Sequence, residues 1–201
     1  MESVDITALL TYVIATNYSP GPNNISAAAM GARWGLRRSW GYILGIVVGF
    51  FVIMFLCGFL SSVLTTILPG IVPTMRWIGG AYILWLAYSV AKSAPTSQSL
   101  DEGIALRGFV KGLALQFVNP KVILYGLTLY GAFLAPILGQ PGPVLLSSVL
   151  LSLLALTSLI LWTAFGAGIN RYFQSHTRQR LLNGAFALLL IYTAASVVGL
   201  L

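Results

Sequence analysis

The chain has 201 residues, of which 58% are hydrophobic and only 7% are charged. A soluble domain carries about 25% charged residues, so most of this chain cannot face water, and an all-α membrane protein is the expected class. Its net charge of +7 is spread between apolar runs, which argues against a nucleic-acid surface, and a single cysteine, Cys57, excludes an internal disulfide and a paired-thiol redox site.

Glu2 and Asp5 stand where a cleavable leader would need positive charge, so the first apolar run is expected to be retained. A helix needs about 20 apolar residues to cross a bilayer. Charges and prolines cut the chain into six such pieces, near residues 4–30, 40–67, 72–91, 108–135, 144–168 and 180–200. The second and third pieces are divided at Pro69 and Pro73, the fourth and fifth at Pro136, Pro141 and Pro143. Arg33, Arg37 and Arg38 fall in the first link, Lys92 and Arg107 in the third, and Arg171, Arg178 and Arg180 around the fifth. The other links carry no lysine or arginine. Odd links are therefore expected in the cytoplasm and both termini outside. Trp34, Trp40 and Trp77 fall near expected interfaces, as an aromatic belt would.

The third and sixth spans resemble each other. Arg76, Gly80, Ala81, Leu84, Leu86 and Tyr88 match Arg180, Gly184, Ala185, Leu188, Leu190 and Tyr192 at a constant offset. Leucine matches count for little between apolar helices; arginine, glycine and tyrosine together count for more. The expected organisation is one transmembrane domain, 1–201, made of two three-helix repeats, 1–93 and 108–201, joined by a cytoplasmic linker at 94–107. Three spans per repeat force the second copy to enter from the opposite side. The repeats would be inverted, as in many secondary transporters.

Two polar interruptions stand in matching places. The first span holds Ser19-Pro20-Gly21-Pro22-Asn23-Asn24; the fourth holds Gln116, Asn119, Pro120 and Lys121. At 1.5 Å per residue, Ser19 lies about 20 Å inward from Ile6 and Asn119 about 16 Å outward from Gly108, so both breaks are expected near the midplane. Each proline removes an N–H and displaces the carbonyl four residues back, freeing those of Thr16, Tyr18 and Gln116. Gly21 permits an open backbone. Asn23 and Asn24 are expected to cap the restarted helix, whose N–H groups attract an anion. Freed carbonyls attract an ammonium, so the pair of breaks suits a zwitterion. A plain structural kink is the competing reading.

Lys121 lies about 20 Å from either end of its expected span, beyond the reach of a snorkelling lysine. An isolated central lysine costs roughly 2.5–3.5 kcal/mol on insertion scales. It is expected to face the bundle interior and meet carbonyls, water or a substrate carboxylate; a structural anchor is the alternative. Arg76 and Arg180 each begin an expected span and read first as interfacial anchors, with a gating role open for Arg76. Gly41, Gly45 and Gly49 form a stripe that suits internal helix packing better than a dimer seam. Tyr125, Tyr130, Trp85 and Trp162 are core residues by default and cavity-lining candidates. His176 sits in a basic link.

These motifs resemble the LysE-type amino-acid exporters of bacterial inner membranes, also called the lysine exporter or homoserine/threonine efflux family. Residues 19–24, followed by Gly31, Arg33, Gly35 and Gly45, look like its first signature. Gln116 to Gly126 looks like its second, and Arg76 to Leu86 is similar to its third helix. The resemblance covers nearly the whole chain and is nearest to the cysteine/O-acetylserine branch. It implies six helices, efflux of small amino acids and use of the proton motive force.

The expected function is therefore secondary export of small neutral amino acids or derivatives across the bacterial inner membrane. Asn23, Asn24, Asn119, Lys121 and Gln116 would meet the substrate. Pro20, Gly21, Pro22 and Pro120 would shape the breaks. Proton antiport normally uses an intramembrane acid or histidine; Asp5 is the coupling candidate here, with Lys121 a second. A passive channel or structural membrane module is the alternative. No enzyme, cofactor or metal site is expected, because the only histidine lies in a link and the acids do not cluster. The expected partners are a small amino acid, protons and the lipid bilayer, with no nucleic acid; a homo-oligomer is allowed.

Overall fold

The computed structural model describes residues 6–92, 102–172 and 176–200. Asp5 and most of the expected 94–107 linker lie outside them. The described residues form α1 (Ile6–Tyr18), α2 (Pro22–Phe59), α3 (Ser61–Ala91), α4 (Glu102–Val118), α5 (Pro120–Thr128), α6 (Pro141–Tyr172) and α7 (His176–Val198). A π-helical turn, Leu129–Phe133, and a 3-10 turn, Ala135–Ile137, lead from α5 towards α6. No strand occurs among the described residues.

Among the described residues, three helical stretches are long and apolar enough to cross a membrane: Pro22–Phe59, Pro141–Ile169 and Thr177–Val198. Their outer faces carry leucines such as Leu146, Leu150 and Leu188 in the open, which suits hydrocarbon rather than water. Trp77 is 64% exposed and Trp40 is 38% exposed, each available to an interface.

The links differ from the sequence expectation in two places. α2 runs through the first basic link and leaves helical geometry only at Gly35, where φ is 72° and ψ is 169°. That backbone region is open essentially to glycine alone, so one residue makes the turn among Arg33, Arg37 and Arg38. The second boundary falls at Leu60, not at Pro69 and Pro73, which lie inside α3. Membrane helices tolerate proline where neighbouring groups re-satisfy the freed backbone. As a result Arg76 does not begin a helix. It stands 15 residues from each end of Ser61–Ala91, about 22 Å by helical rise.

α2 packs chiefly on α6 and α4, and α3 on α7. Backbones meet closely at the crossings. A Cβ on Gly31 would overlap the Thr163 carbonyl, and one on Gly166 would overlap that of Ala28. Gly45 meets the Phe109 carbonyl and Gly49 the Gln116 side chain, so two members of the glycine stripe pack within the chain. The apolar interior divides into two clusters. One gathers Ile43, Ile46, Ile83, Leu115 and Leu190; the other gathers Phe50, Met54, Tyr125, Leu129 and Tyr130. Cys57 is a buried filler of the second cluster.

Candidate functional site

The two polar segments meet between these clusters. α1 ends at Tyr18 and α2 starts at Pro22, with Gly21 extended (φ −174°, ψ 178°). α4 ends at Val118 and α5 starts at Pro120, with Asn119 extended (φ −93°, ψ 98°). Proline at the first helical position suits both restarts, since the N–H it lacks has no helical partner there.

Side-chain amides tie the segments together. Asn23 Nδ2 donates to Gln116 Oε1 at 3.0 Å, and Gln116 Nε2 donates back to Asn23 Oδ1 at 3.0 Å. Asn119 Nδ2 also donates to Asn23 Oδ1, at 3.1 Å. Lys121 Nζ donates to Ser19 Oγ at 3.1 Å. Of the residues named from the sequence, Asn23, Asn119, Gln116 and Lys121 thus converge. Gln116 and Asn119 are fully buried.

The capping differs from the expectation. Gly21 is the N-cap of α2, and no side chain caps it. Asn24 turns back instead, its Nδ2 donating to the carbonyls of Asn17 (2.7 Å) and Ser19 (2.8 Å). Asn119 caps α5, accepting from Lys121 N at 3.1 Å. The freed carbonyls are also occupied. Thr16 accepts from Ser19 Oγ at 3.0 Å, Tyr18 from Trp162 Nε1 at 3.3 Å, and Gln116 from Asn119 N at 3.3 Å. An unpaired carbonyl in this setting costs several kcal/mol, so the chain fills each with its own donor. Each carbonyl expected to meet an ammonium therefore already accepts one hydrogen bond within the chain.

Sequence reasoning missed several contributors. Asn17 Nδ2 donates to Tyr125 OH at 3.1 Å and to the Val13 carbonyl at 2.9 Å. Its Oδ1 receives no hydrogen bond from a described residue. Ser158 on α6 donates to the Asn17 carbonyl at 2.8 Å, and with Trp162 braces the end of α1. The signal for Asn17 was an amide inside an uncharged run. Ser158 gave none, because its partners lie far off in sequence, and Trp162 was named only as a core or cavity-lining candidate, not as the partner of Tyr18.

Two cavities adjoin here. The inner one, about 50 Å³, is lined by Asn17, Ser19, Asn23, Asn24, Asn119 and Lys121, with apolar walls from Ile46, Phe50 and Leu159. That is room for a few water molecules. The larger, about 610 Å³, is a vestibule lined by Pro20, Pro120 and Arg76 and by Tyr192, Thr193 and Ser196 of α7. Gly21, Pro22, Lys121 and Tyr125 border both. No acid lines either cavity among the described residues, and none of these residues group as metal ligands. Tyr125 thus lines the site, while Tyr130 is buried in the core, sharing hydrogen bonds with Ser147 and Ser148. Trp85 sits under Lys111 Nζ, 5.1 Å from the ring centre. Arg180 borders neither cavity.

Residues 14–199 match the family model described as LysE type translocator. A cysteine/O-acetylserine efflux protein of Klebsiella pneumoniae is 38% identical over 193 residues, covering 96% of each chain. Proteins of the same name from Salmonella paratyphi A and Escherichia coli O139:H28 are 38% and 37% identical; the first alignment covers 98% of this chain and 99% of the relative, the second 96% of each. No solved structure matches the chain. A continuous match from α1 to the end of α7, with relatives aligned end to end, places the whole bundle in one family: the chain belongs to the LysE type translocators, which are transporters and not enzymes.

Proposed function

We propose that this chain exports small neutral amino acids or their derivatives, of the cysteine/O-acetylserine kind, across the bacterial inner membrane. The observation that carries the reading is Lys121. Its ammonium stands where the two polar segments meet, bonded to one neutral hydroxyl, Ser19, and bordered by no acid among the described lining residues. A cation so placed suits a carboxylate. Asn17 Oδ1 is the acceptor for the substrate ammonium, in place of the occupied backbone carbonyls. The apolar wall of Ile46, Phe50 and Leu159 receives a short side chain. Asn23, Asn24, Gln116 and Asn119 hold the two segments in register around it.

About 50 Å³ does not admit a whole amino acid, so binding requires the segments to part. Alternating access between inverted repeats supplies that motion. The packing supports such repeats: the first span lies on the fifth through Gly31 and Gly166, the second on the fourth through Gly45 and Gly112, and the third on the sixth. Exchanging the halves, first for fourth, second for fifth and third for sixth, leaves these pairings unchanged. In this arrangement both breaks lie near the midplane, both termini lie outside, and the vestibule beside the end of α7 faces the periplasm. The proton motive force drives export, with Asp5 as proton carrier.

Uptake into everted vesicles, across a panel of labelled amino acids with and without a proton gradient, tests the reading. Gradient-dependent accumulation of cysteine or O-acetylserine, and little of the cationic or aromatic amino acids, is the expected result. Vesicles that accumulate none of the panel would remove the function.

A further inference from the structure

The vestibule holds a second cation that recognition at Lys121 leaves without a task. Arg76 projects from α3 into the same cavity as Lys121 of α5. A Cβ on Gly199, just past the end of α7, would lie 3.9 Å from the Arg76 guanidinium, so this cation stands at the α7-end mouth of the vestibule. Its side chain is exposed, and no described residue bonds to the guanidinium. No acid lines the vestibule among the described residues. A cation that faces a wet cavity with no acid beside it is open to an anionic partner. Lys121 borders both cavities, whereas Arg76 borders only the outer one. The two cations therefore stand in sequence along one route.

We propose that Arg76 is a second, outer carboxylate station, distinct from the inner site at Lys121. The planar guanidinium offers two parallel N–H donors that match a carboxylate. A volume of about 610 Å³ lies within the range of small-molecule sites and accepts a small amino acid together with water. Two stations in series let a solute leave a tight inner site stepwise, as multi-site pores release their ions. The order of travel, Lys121 and then Arg76, rests on the export reading above; the carboxylate site itself does not.

Arginine modification tests this on the purified full chain reconstituted in vesicles. Phenylglyoxal labelling is read separately at the Arg76 and Arg180 peptides by mass spectrometry. The probes are S-methyl-L-cysteine, its methyl ester, and chloride at equal concentration. The free acid is expected to slow labelling of Arg76 about tenfold at saturation, the scale of a charge-assisted contact, and to leave Arg180 unchanged. The ester and chloride should not protect. Protection that persists in Lys121→Gln identifies a separate station; protection lost in that variant makes Arg76 a bystander of the inner site and overturns the proposal. Equal labelling with and without the acid, or equal protection by chloride, overturns it as well. Counterflow in the same vesicles keeps the two readings apart. Exchange without protection at Arg76 removes the outer station and leaves export standing, whereas protection without exchange removes export and leaves the station.

Discussion

The two interruptions solve one problem in different ways. Between α4 and α5 a single residue leaves the helix, and Asn119 caps the restart with its own side chain. Between α1 and α2 the chain is open from Ser19 to Gly21, and Gly21 gives no side-chain cap. That wider opening is held from outside, by Ser158 and Trp162 of α6 and by Asn24 reaching back. The second break is a local structure; the first depends on tertiary packing. In the alternating-access reading proposed above, mobile elements come from regions of low local stability, and the first break is the expected hinge.

The largest way to break this contrast is at the crossing of α2 and α6. Gly31→Leu would drive a side chain into the Thr163 backbone, and overpacking already costs 1–3 kcal/mol where flexible side chains yield. Loss of the folded protein, seen as aggregation on size-exclusion chromatography, is expected, whereas Leu at Gly168, which has open space around it, should be tolerated. Next comes the strut between the breaks. Asn23→Ala strips Gln116 and Asn119 of their shared acceptor, and a buried polar group left unpaired costs about 1–3 kcal/mol; thermal unfolding should fall accordingly. The smallest effects sharpen the comparison. Asn119→Ala removes a cap worth about 1 kcal/mol, and Asn119→Ser should recover most of it. Ser158→Ala costs a similar amount, but no substitution at the first break itself should rescue it. Hydrogen exchange would place the loosening at α1 for Ser158→Ala and at α5 for Asn119→Ala.

Composition and proline chemistry made much of this legible before any coordinates. Pro22 and Pro120 open the helices that follow each interruption, and Gly35 sits among the arginines where a turn was needed. What misled was the same chemistry in another setting: Pro69 and Pro73 suggested a link, but α3 runs through them. That reading set Arg76 at the start of a helix, whereas it stands within α3 and lines the vestibule. Asn23 and Asn24 have good capping side chains, yet partners on other helices compete for them, and the sequence carries no record of which partner wins. Asn17 passed as one amide in an apolar run. Ser158 could not have been found at all, nor the bond that Trp162, named only as a core or cavity-lining candidate, makes to Tyr18, since both roles exist only after α6 lies against α1.

Recognition of the solute rests most on Lys121. Counterflow of labelled O-acetylserine through reconstituted protein measures its part directly, comparing the native chain with Lys121→Ala at equal yield and equal elution volume. Loss of exchange in an intact, membrane-inserted variant is the predicted result. Exchange at the native rate would contradict it, because the meeting of the two breaks would then hold the fold together without recognising the solute.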